Sequence, residues 1–172
     1  MALHFRVTIW LLLVSTTIFS QTLGGNAVFN FLKLSSSPQV TALGGINVSQ
    51  VSDDAGLAFA NPALLRPSMH SQLHVVFNDF YSGIKVYHFS LGYRQEKLRT
   101  NFLWGLHSFD YGKTIQTDAS GNQLGTFRPT DWVMQLSASR QYKEKWNYGA
   151  TLKFISSNYG SYRSNGLAMD VG

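Results

Sequence analysis

The chain has no cysteine and few charged residues, and both shortages narrow what it can be. Without cysteine it cannot form a disulfide scaffold, a cysteine-ligated zinc site, an iron–sulfur cluster or a thiol nucleophile. Charged residues make up 13% of its 172 residues, against roughly 25% in a typical soluble domain. Because 44% of the residues are apolar, the composition argues against intrinsic disorder. The net charge of +5 is spread thinly, so we expect no nucleic-acid partner.

Long apolar runs are also scarce, and the chain has a single one, at residues 7–14. His4 and Arg6 precede this run, and the small residue Ser20 follows it. A basic start, a short apolar centre and a small exit residue predict a secretory signal peptide over residues 1–20, with the mature chain beginning at Gln21. The alternative is a transmembrane anchor, but the run is shorter than the roughly 20 residues that a helical span needs.

From residue 72 onward, apolar and polar residues alternate. In residues 146–154 one face carries Trp146, Tyr148, Leu152 and Phe154, and the other carries small or polar residues. The same period of two recurs in residues 73–78, 87–93, 101–107, 132–139 and 167–172. This pattern predicts about six strands, each with one apolar face, and an all-β fold.

Three features of these strands favour a transmembrane antiparallel β-barrel. Their lengths approach the 9–11 residues of a membrane-crossing strand, and their polar faces carry mainly Gly, Ser, Asn, Thr and Gln rather than charges. Outward aromatic residues, namely Tyr93, Trp132, Trp146 and Tyr148, lie near strand ends, where an interfacial girdle is expected. A soluble β-sandwich with ordinary hairpins is the alternative.

The connections between strands alternate between short and long. Residues 94–97 and 140–145 are short and charged, whereas the link 110–129 is long and rich in glycine. Short periplasmic turns and longer extracellular loops are typical of outer-membrane barrels. Because such barrels need at least eight strands and about six are counted, we expect residues 72–172 to be the N-terminal part of a larger barrel, in a truncated chain.

Residues 21–71 lack alternation and are rich in Gly, Ser, Asn and Ala. Asn61 and Pro62, followed by Ala63, predict a local helix start, since asparagine caps helices and proline suits their first position. Gly44 and Gly45 predict a tight turn or a close backbone contact. We expect this segment to be a hatch or plug without chemistry of its own.

No catalytic motif is present in the sequence. It has no Gly-x-Ser-x-Gly elbow, no phosphate loop and no dinucleotide fingerprint. His74, His88 and His107 share the polar face, but they lack metal-ligand spacing, so we interpret them as isolated polar groups rather than a metal site. We expect Lys153 and Asp170 to form an ion pair on that face. The prediction is a non-enzyme with no catalytic residue, cofactor or metal.

An ordered set of short strings resembles a known family. It comprises residues 27–32, 35–38, 42–45, 61–65, 67–70, 110–113, 118 with 121–122, 125–127 and 164–171. These strings cover nearly the whole chain after residue 20. They resemble the PorQ-like outer-membrane proteins of the type IX secretion system, which belong with PorV among the FadL-like β-barrels. The resemblance implies a barrel of fourteen strands when complete, with residues 61–63 in its N-terminal hatch.

The resemblance also implies a role and a set of partners. PorQ-like proteins lie in the Gram-negative outer membrane, surrounded by lipid, and hold a PorZ-like surface protein for cargo attachment. Through it they work with PorU and PorV, and the PorZ-like protein engages lipopolysaccharide. Tyr111, Lys113, Phe127 and Arg128 are candidate partner-docking residues, because Tyr, Phe and Arg are common interface anchors. A FadL-like channel for hydrophobic compounds and a secreted soluble β protein are the alternative functions.

Overall fold

The structure is a computed structural model that describes residues 29–42, 44–45, 49–143 and 145–172. The expected signal peptide, residues 1–20, lies outside the described residues. Within them the chain is mostly antiparallel β-sheet, which confirms the all-β class.

The described residues form eight strands, and the six predicted from alternation are all among them. Their bounds are β1 Leu73–Asp79, β2 Lys85–Gln95, β3 Thr100–Asp110, β4 Thr114–Thr117, β5 Gln123–Phe127, β6 Thr130–Tyr142, β7 Trp146–Tyr159 and β8 Tyr162–Val171. The main sheet has the order β1-β2-β3-β6-β7-β8, and every neighbouring pair is antiparallel. Chain order is therefore sheet order, apart from the excursion between β3 and β6.

That excursion is a two-stranded hairpin, where the sequence had indicated a loop. Strands β4 and β5 pair antiparallel and carry a register shift at Gln116 and Thr117. The turn-forming residues 118–122 favour a loop over the whole link, but in the structure they join two short strands. Most residues of both strands are exposed, so the pattern has no buried face to create alternation.

The described residues between 29 and 71 form short helical turns that lie on one face of the main sheet. The 3-10 helices are Asn30–Lys33, Leu57–Phe59, Pro62–Leu64 and Pro67–Met69, with a further one, Tyr81–Gly83, between β1 and β2; the α-helix α1 is Pro38–Ala42. The predicted helix start at Asn61 is confirmed in 3-10 form, with Pro62 in the first turn. The predicted turn at Gly44 and Gly45 is also confirmed, since both have positive φ. In the described part of the chain, no helix has the length and apolarity needed to cross a membrane.

The core lies between this segment and the sheet, in two apolar clusters. One joins Ala55, Ala58, Leu64, Leu65 and Met69 to Leu103 of the sheet, and the other joins Phe31 to Val86, Phe109, Val133 and Ile155. Glycines permit the close approach. A Cβ at Gly149 would lie 2.9 Å from the carbonyl carbon of Pro62, and one at Gly92 would collide with the carbonyl oxygen of Met69. The segment can therefore pack directly against the backbones of β7 and β2.

Candidate functional site

On the main sheet, many polar side chains are buried and many apolar side chains are exposed, which is the reverse of a water-soluble sheet. On β2, His88 and Ser90 are buried, whereas the alternate residues Tyr87, Leu91 and Tyr93 are exposed. Burial on a soluble sheet normally follows the apolar residues, with polar groups facing water. Here the described part of the segment 29–71 covers the face that carries the polar residues and leaves the uniformly apolar face open. The covered face also holds the buried apolar residues of the two core clusters, namely Val86, Leu103, Phe109, Val133 and Ile155.

The exposed apolar face continues across the sheet. Leu152 at the middle of β7 is 63% exposed, and Leu167 of β8 is 84% exposed. The other exposed apolar side chains of this face include Val75, Phe77, Trp104, Met134, Leu136, Phe154, Met169 and Val171. Contiguous exposed apolar surface of this kind marks a contact with lipid or with another protein.

Aromatic side chains lie at the end of this face where the β2–β3 and β6–β7 turns are. Tyr93, Tyr142, Trp146 and Tyr148 are all exposed there. Tyr93, Trp146 and Tyr148 were predicted from the sequence, whereas Tyr142, which ends β6, was not. The fourth predicted residue, Trp132, lies near the other end of β6 and packs against Phe154, with ring centroids 5.5 Å apart.

The polar face holds the three predicted histidines, in contact rather than isolated. The ring centroids of His74 and His88 are 5.6 Å apart, and those of His88 and His107 are 5.3 Å apart. Phe59 of the covering segment packs edge-on against His88 at 4.6 Å. Among the described residues, no group of three or more His, Asp and Glu side chains is arranged to hold a metal ion.

Polar side chains of the sheet also bind the covering segment. Gln135 Nε2 donates to the carbonyl oxygen of Phe59 at 3.1 Å, and Ser139 Oγ donates to that of Leu65 at 2.9 Å. These residues lie on the buried face of β6. The polar face therefore fixes the position of the segment by hydrogen bonds as well as by packing.

The predicted hatch residues lie where the segment meets β7. Asn61 Oδ1 accepts a hydrogen bond from the backbone N–H of Ala63 at 3.0 Å. Pro62 is buried against Gly149. On the same sheet face, the expected ion pair between Lys153 and Asp170 is present and links β7 to β8. Pro62 thus contacts β7, and Asn61 and Ala63 lie beside Gly172, directly after β8.

A buried carboxylate anchors the base of the β4–β5 hairpin. Asp131 Oδ2 accepts hydrogen bonds from the hydroxyl of Tyr111 at 2.7 Å and from that of Tyr159 at 2.8 Å. Burial of Tyr111, together with its hydrogen bond to Asp131, raises the pKa of its hydroxyl above the ordinary value. The Tyr111 backbone N–H also donates to the carbonyl oxygen of Pro129 at 3.1 Å. The first residue after β3 is therefore held to the residues before β6.

Arg128 and Asp110 form a bidentate ion pair on the solvent-exposed side of the base of the β4–β5 hairpin. Arg128 donates from Nε to Asp110 Oδ1 at 2.8 Å and from Nη2 to Asp110 Oδ2 at 2.5 Å. The hydrogen bonds to Asp110 raise the pKa of the Arg128 guanidinium. Planar two-point pairing gives this contact a defined geometry. It fixes the direction in which the hairpin leaves the sheet.

The hairpin tip is ordered by one carboxylate. Asp118 accepts hydrogen bonds from the backbone N–H groups of Ser120 and Asn122 and from Nδ2 of Asn122. The hydrogen bonds from Asn122 lower the pKa of the Asp118 carboxyl. Between base and tip, Ile115 and Leu124 are exposed. The hairpin therefore presents two apolar side chains on a structure braced at both ends.

The predicted docking residues occupy different positions around this hairpin. Lys113 is exposed, and Arg128 is exposed but paired with Asp110. Tyr111 is half-buried and bound to Asp131, and Phe127 is half-buried beside Gly160. The sequence reasoning missed Asp131, although extending the alternation of β6 by one residue would have placed it on the buried face.

Comparisons with known proteins identified no relative of this chain. A scan against protein-family models, a search of curated proteins and a search of solved structures each found no match to this chain.

Proposed function

We propose that residues 72–172 form the N-terminal part of an outer-membrane β-barrel, with residues 21–71 as its hatch. The observation that carries this proposal is the reversed burial of the sheet, whose polar face is covered while its apolar face is open. In a bilayer, acyl chains would cover that apolar face, and the polar face would line the lumen. A signal peptide over residues 1–20 would direct export.

The edges of the sheet support a closed arrangement. β1 and β8 are the two edge strands, and each pairs on one side only within the described residues. Unpaired backbone groups are costly in hydrocarbon, so membrane sheets close into barrels. We propose that further strands complete the barrel, as in the fourteen-stranded FadL-like proteins that the sequence resembles.

Within this barrel the protein acts as a non-catalytic anchor of the type IX secretion attachment complex. The resemblance to PorQ-like proteins supports a PorZ-like surface partner, and through it PorU, PorV and lipopolysaccharide. The braced β4–β5 hairpin supports a docking role, because ordering it before contact lowers the entropy lost on binding. In the strand order of the described residues, the hairpin lies at the end of the sheet opposite the β2–β3 and β6–β7 turns.

Single cysteines test the barrel and its orientation, because the chain has none of its own. Ser120→Cys at the hairpin tip should react with a membrane-impermeant maleimide on intact cells. Lys145→Cys should react only after the outer membrane is permeabilised, and Leu152→Cys only after the chain is unfolded by denaturant. Labelling of Leu152→Cys as fast as Ser120→Cys in intact membranes would contradict the barrel.

Deletion of residues 114–127 tests the anchoring role. Release of the PorZ-like protein from the cell surface is expected, while the shortened barrel stays in the outer-membrane fraction. Retention of that partner at wild-type level would contradict the anchoring proposal. Loss of hydrophobic-compound uptake with the partner still attached would favour the FadL-like channel instead.

A further inference from the structure

Charge is distributed unequally between the two ends of the sheet. The end formed by the β2–β3 and β6–β7 turns carries Arg94, Lys97, Arg99, Arg140, Lys143 and Lys145, and Glu96 is the acidic residue described there. The opposite end carries Lys85, Lys113, Arg128 and Arg163, balanced by Asp79, Asp110, Asp118 and Asp131. One end is therefore strongly basic and the other is close to neutral.

Little of the basic charge is neutralised locally. Glu96 accepts a hydrogen bond from Arg94 Nε at 2.6 Å, which accounts for one basic side chain. Glu144 belongs to the same turn as Lys143 and Lys145 in the sequence but lies outside the described residues. Asp53 and Asp54 belong to the segment that covers the opposite, polar face of the sheet.

The basic residues continue directly from the exposed apolar face. Along β6 the outward side chains run Met134, Leu136, Ala138, Arg140 and Tyr142, so Arg140 marks the change from apolar to charged. Arg140 pairs in register with Tyr148. Its Nη2 donates to the carbonyl oxygen of Leu98 at 2.7 Å.

This contact holds the Arg140 guanidinium toward the β2–β3 turn and away from the apolar face. The backbone carbonyl uses one of the five guanidinium donors, which leaves the others for an acceptor. Tyr148 lies opposite Arg140, and the pair Tyr142 and Trp146 follows two residues nearer the β6–β7 turn. Trp146 is 70% exposed. Aromatic rings and cations at one level match the headgroup region of a bilayer.

We propose that the basic rim of Lys97, Arg99, Arg140, Lys143 and Lys145 binds the phosphate groups of anionic glycerophospholipids. The inference rests on the proposed barrel and identifies the lipid class that its charged end selects. Charge complementarity supports this occupant, because the rim is cationic where the apolar face meets solvent. Continuity supports it as well, since one lipid would place acyl chains on that face and its phosphate on the rim.

Fluorescence of Trp146 tests this inference at the rim itself. In a chain with Trp10, Trp104 and Trp132 replaced by Phe, Trp146 is the only tryptophan. The protein is reconstituted in phosphatidylcholine vesicles that contain increasing amounts of brominated phosphatidylglycerol, and in matched vesicles with brominated phosphatidylcholine. Quenching gives the relative affinity of the rim for the two lipids, which we expect to favour phosphatidylglycerol.

Lys143→Gln with Lys145→Gln should lower that preference by about fivefold for each lysine, and 0.5 M salt should lower it as well. The matched control is Lys85→Gln with Arg163→Gln, which removes the same charge at the other end and should leave the preference unchanged. Equal quenching by the two brominated lipids in the protein with its rim unsubstituted would overturn the lipid assignment alone. The same holds if the control variant loses as much of the preference for phosphatidylglycerol as the lysine variant. Absence of quenching by either lipid would overturn the barrel proposal and this inference with it.

Discussion

Leu152→Arg distinguishes a lipid-facing sheet from a water-facing one. Leu152 lies at the middle of β7 on the exposed apolar face and is 63% exposed, paired in register with Leu136 and Met169. If water covers this face, a surface substitution should change the free energy of unfolding by no more than about 0.5 kcal/mol. If lipid covers it, arginine near the bilayer midplane should cost about 2–4 kcal/mol.

Leu124→Arg is the matched control. Leu124 is 64% exposed, but it lies in the β4–β5 hairpin, outside the main sheet. Arginine there should have a small effect in either environment. The two leucines are therefore almost equally exposed, but Leu152 lies on the apolar face of the main sheet and Leu124 lies in the hairpin.

Equilibrium unfolding by guanidinium chloride in lipid vesicles, followed by tryptophan fluorescence, measures both variants. We expect Leu152→Arg to lower the unfolding free energy by at least about 2 kcal/mol relative to Leu124→Arg. A small effect of both substitutions, within about 0.5 kcal/mol, would refute the interpretation of this face as a lipid-contacting surface. A large effect of both would show instead that the hairpin also enters the membrane.

Three further predictions concern the covering segment and the hairpin base. Gly149→Val should crowd Pro62 and cost about 1–3 kcal/mol, seen as faster chymotrypsin cleavage within the segment 29–71. Asp131→Ala should leave the hydroxyls of Tyr111 and Tyr159 without their acceptor and cost about 1–3 kcal/mol, measured by thermal unfolding, with Asp131→Asn less damaging because it keeps an acceptor oxygen. The pKa of Tyr111 is raised in the folded state, so its contribution to stability should be complete below about pH 10 and should fall as pH rises above it. Urea unfolding between about pH 8 and 11 measures this fall, which should be smaller in Tyr111→Phe.

The strands could be predicted from sequence because alternation is a local property. Residues 146–154 alternate strictly, and the structure places them within β7. Asn61 and Pro62 could also be predicted, since capping depends on residues within one turn. The β4–β5 hairpin was missed because most of its residues are exposed, and strands without a buried face leave no hydrophobic period.

The candidate docking residues show the limit of the same reasoning. Tyr111 was selected for its residue type and for its place in a long link. It is bound to Asp131, which lies 20 positions away in sequence. Such a contact depends on the antiparallel arrangement of β3 and β6 around the hairpin, and no local pattern encodes it. The structure points instead to Ile115 and Leu124 as the apolar side chains that the hairpin exposes.

By itself, the sequence determined which residues share a face, because side chains in a strand alternate with a period of two. It therefore separated a polar face with three histidines from an apolar face with aromatic ends. Which face is covered was decided by the tertiary structure alone. Glycines in β2 and β7 and hydrogen bonds from Gln135 and Ser139 bring the segment 29–71 onto the polar face. This packing leaves the apolar face open, and that choice depends on contacts between residues far apart in the chain.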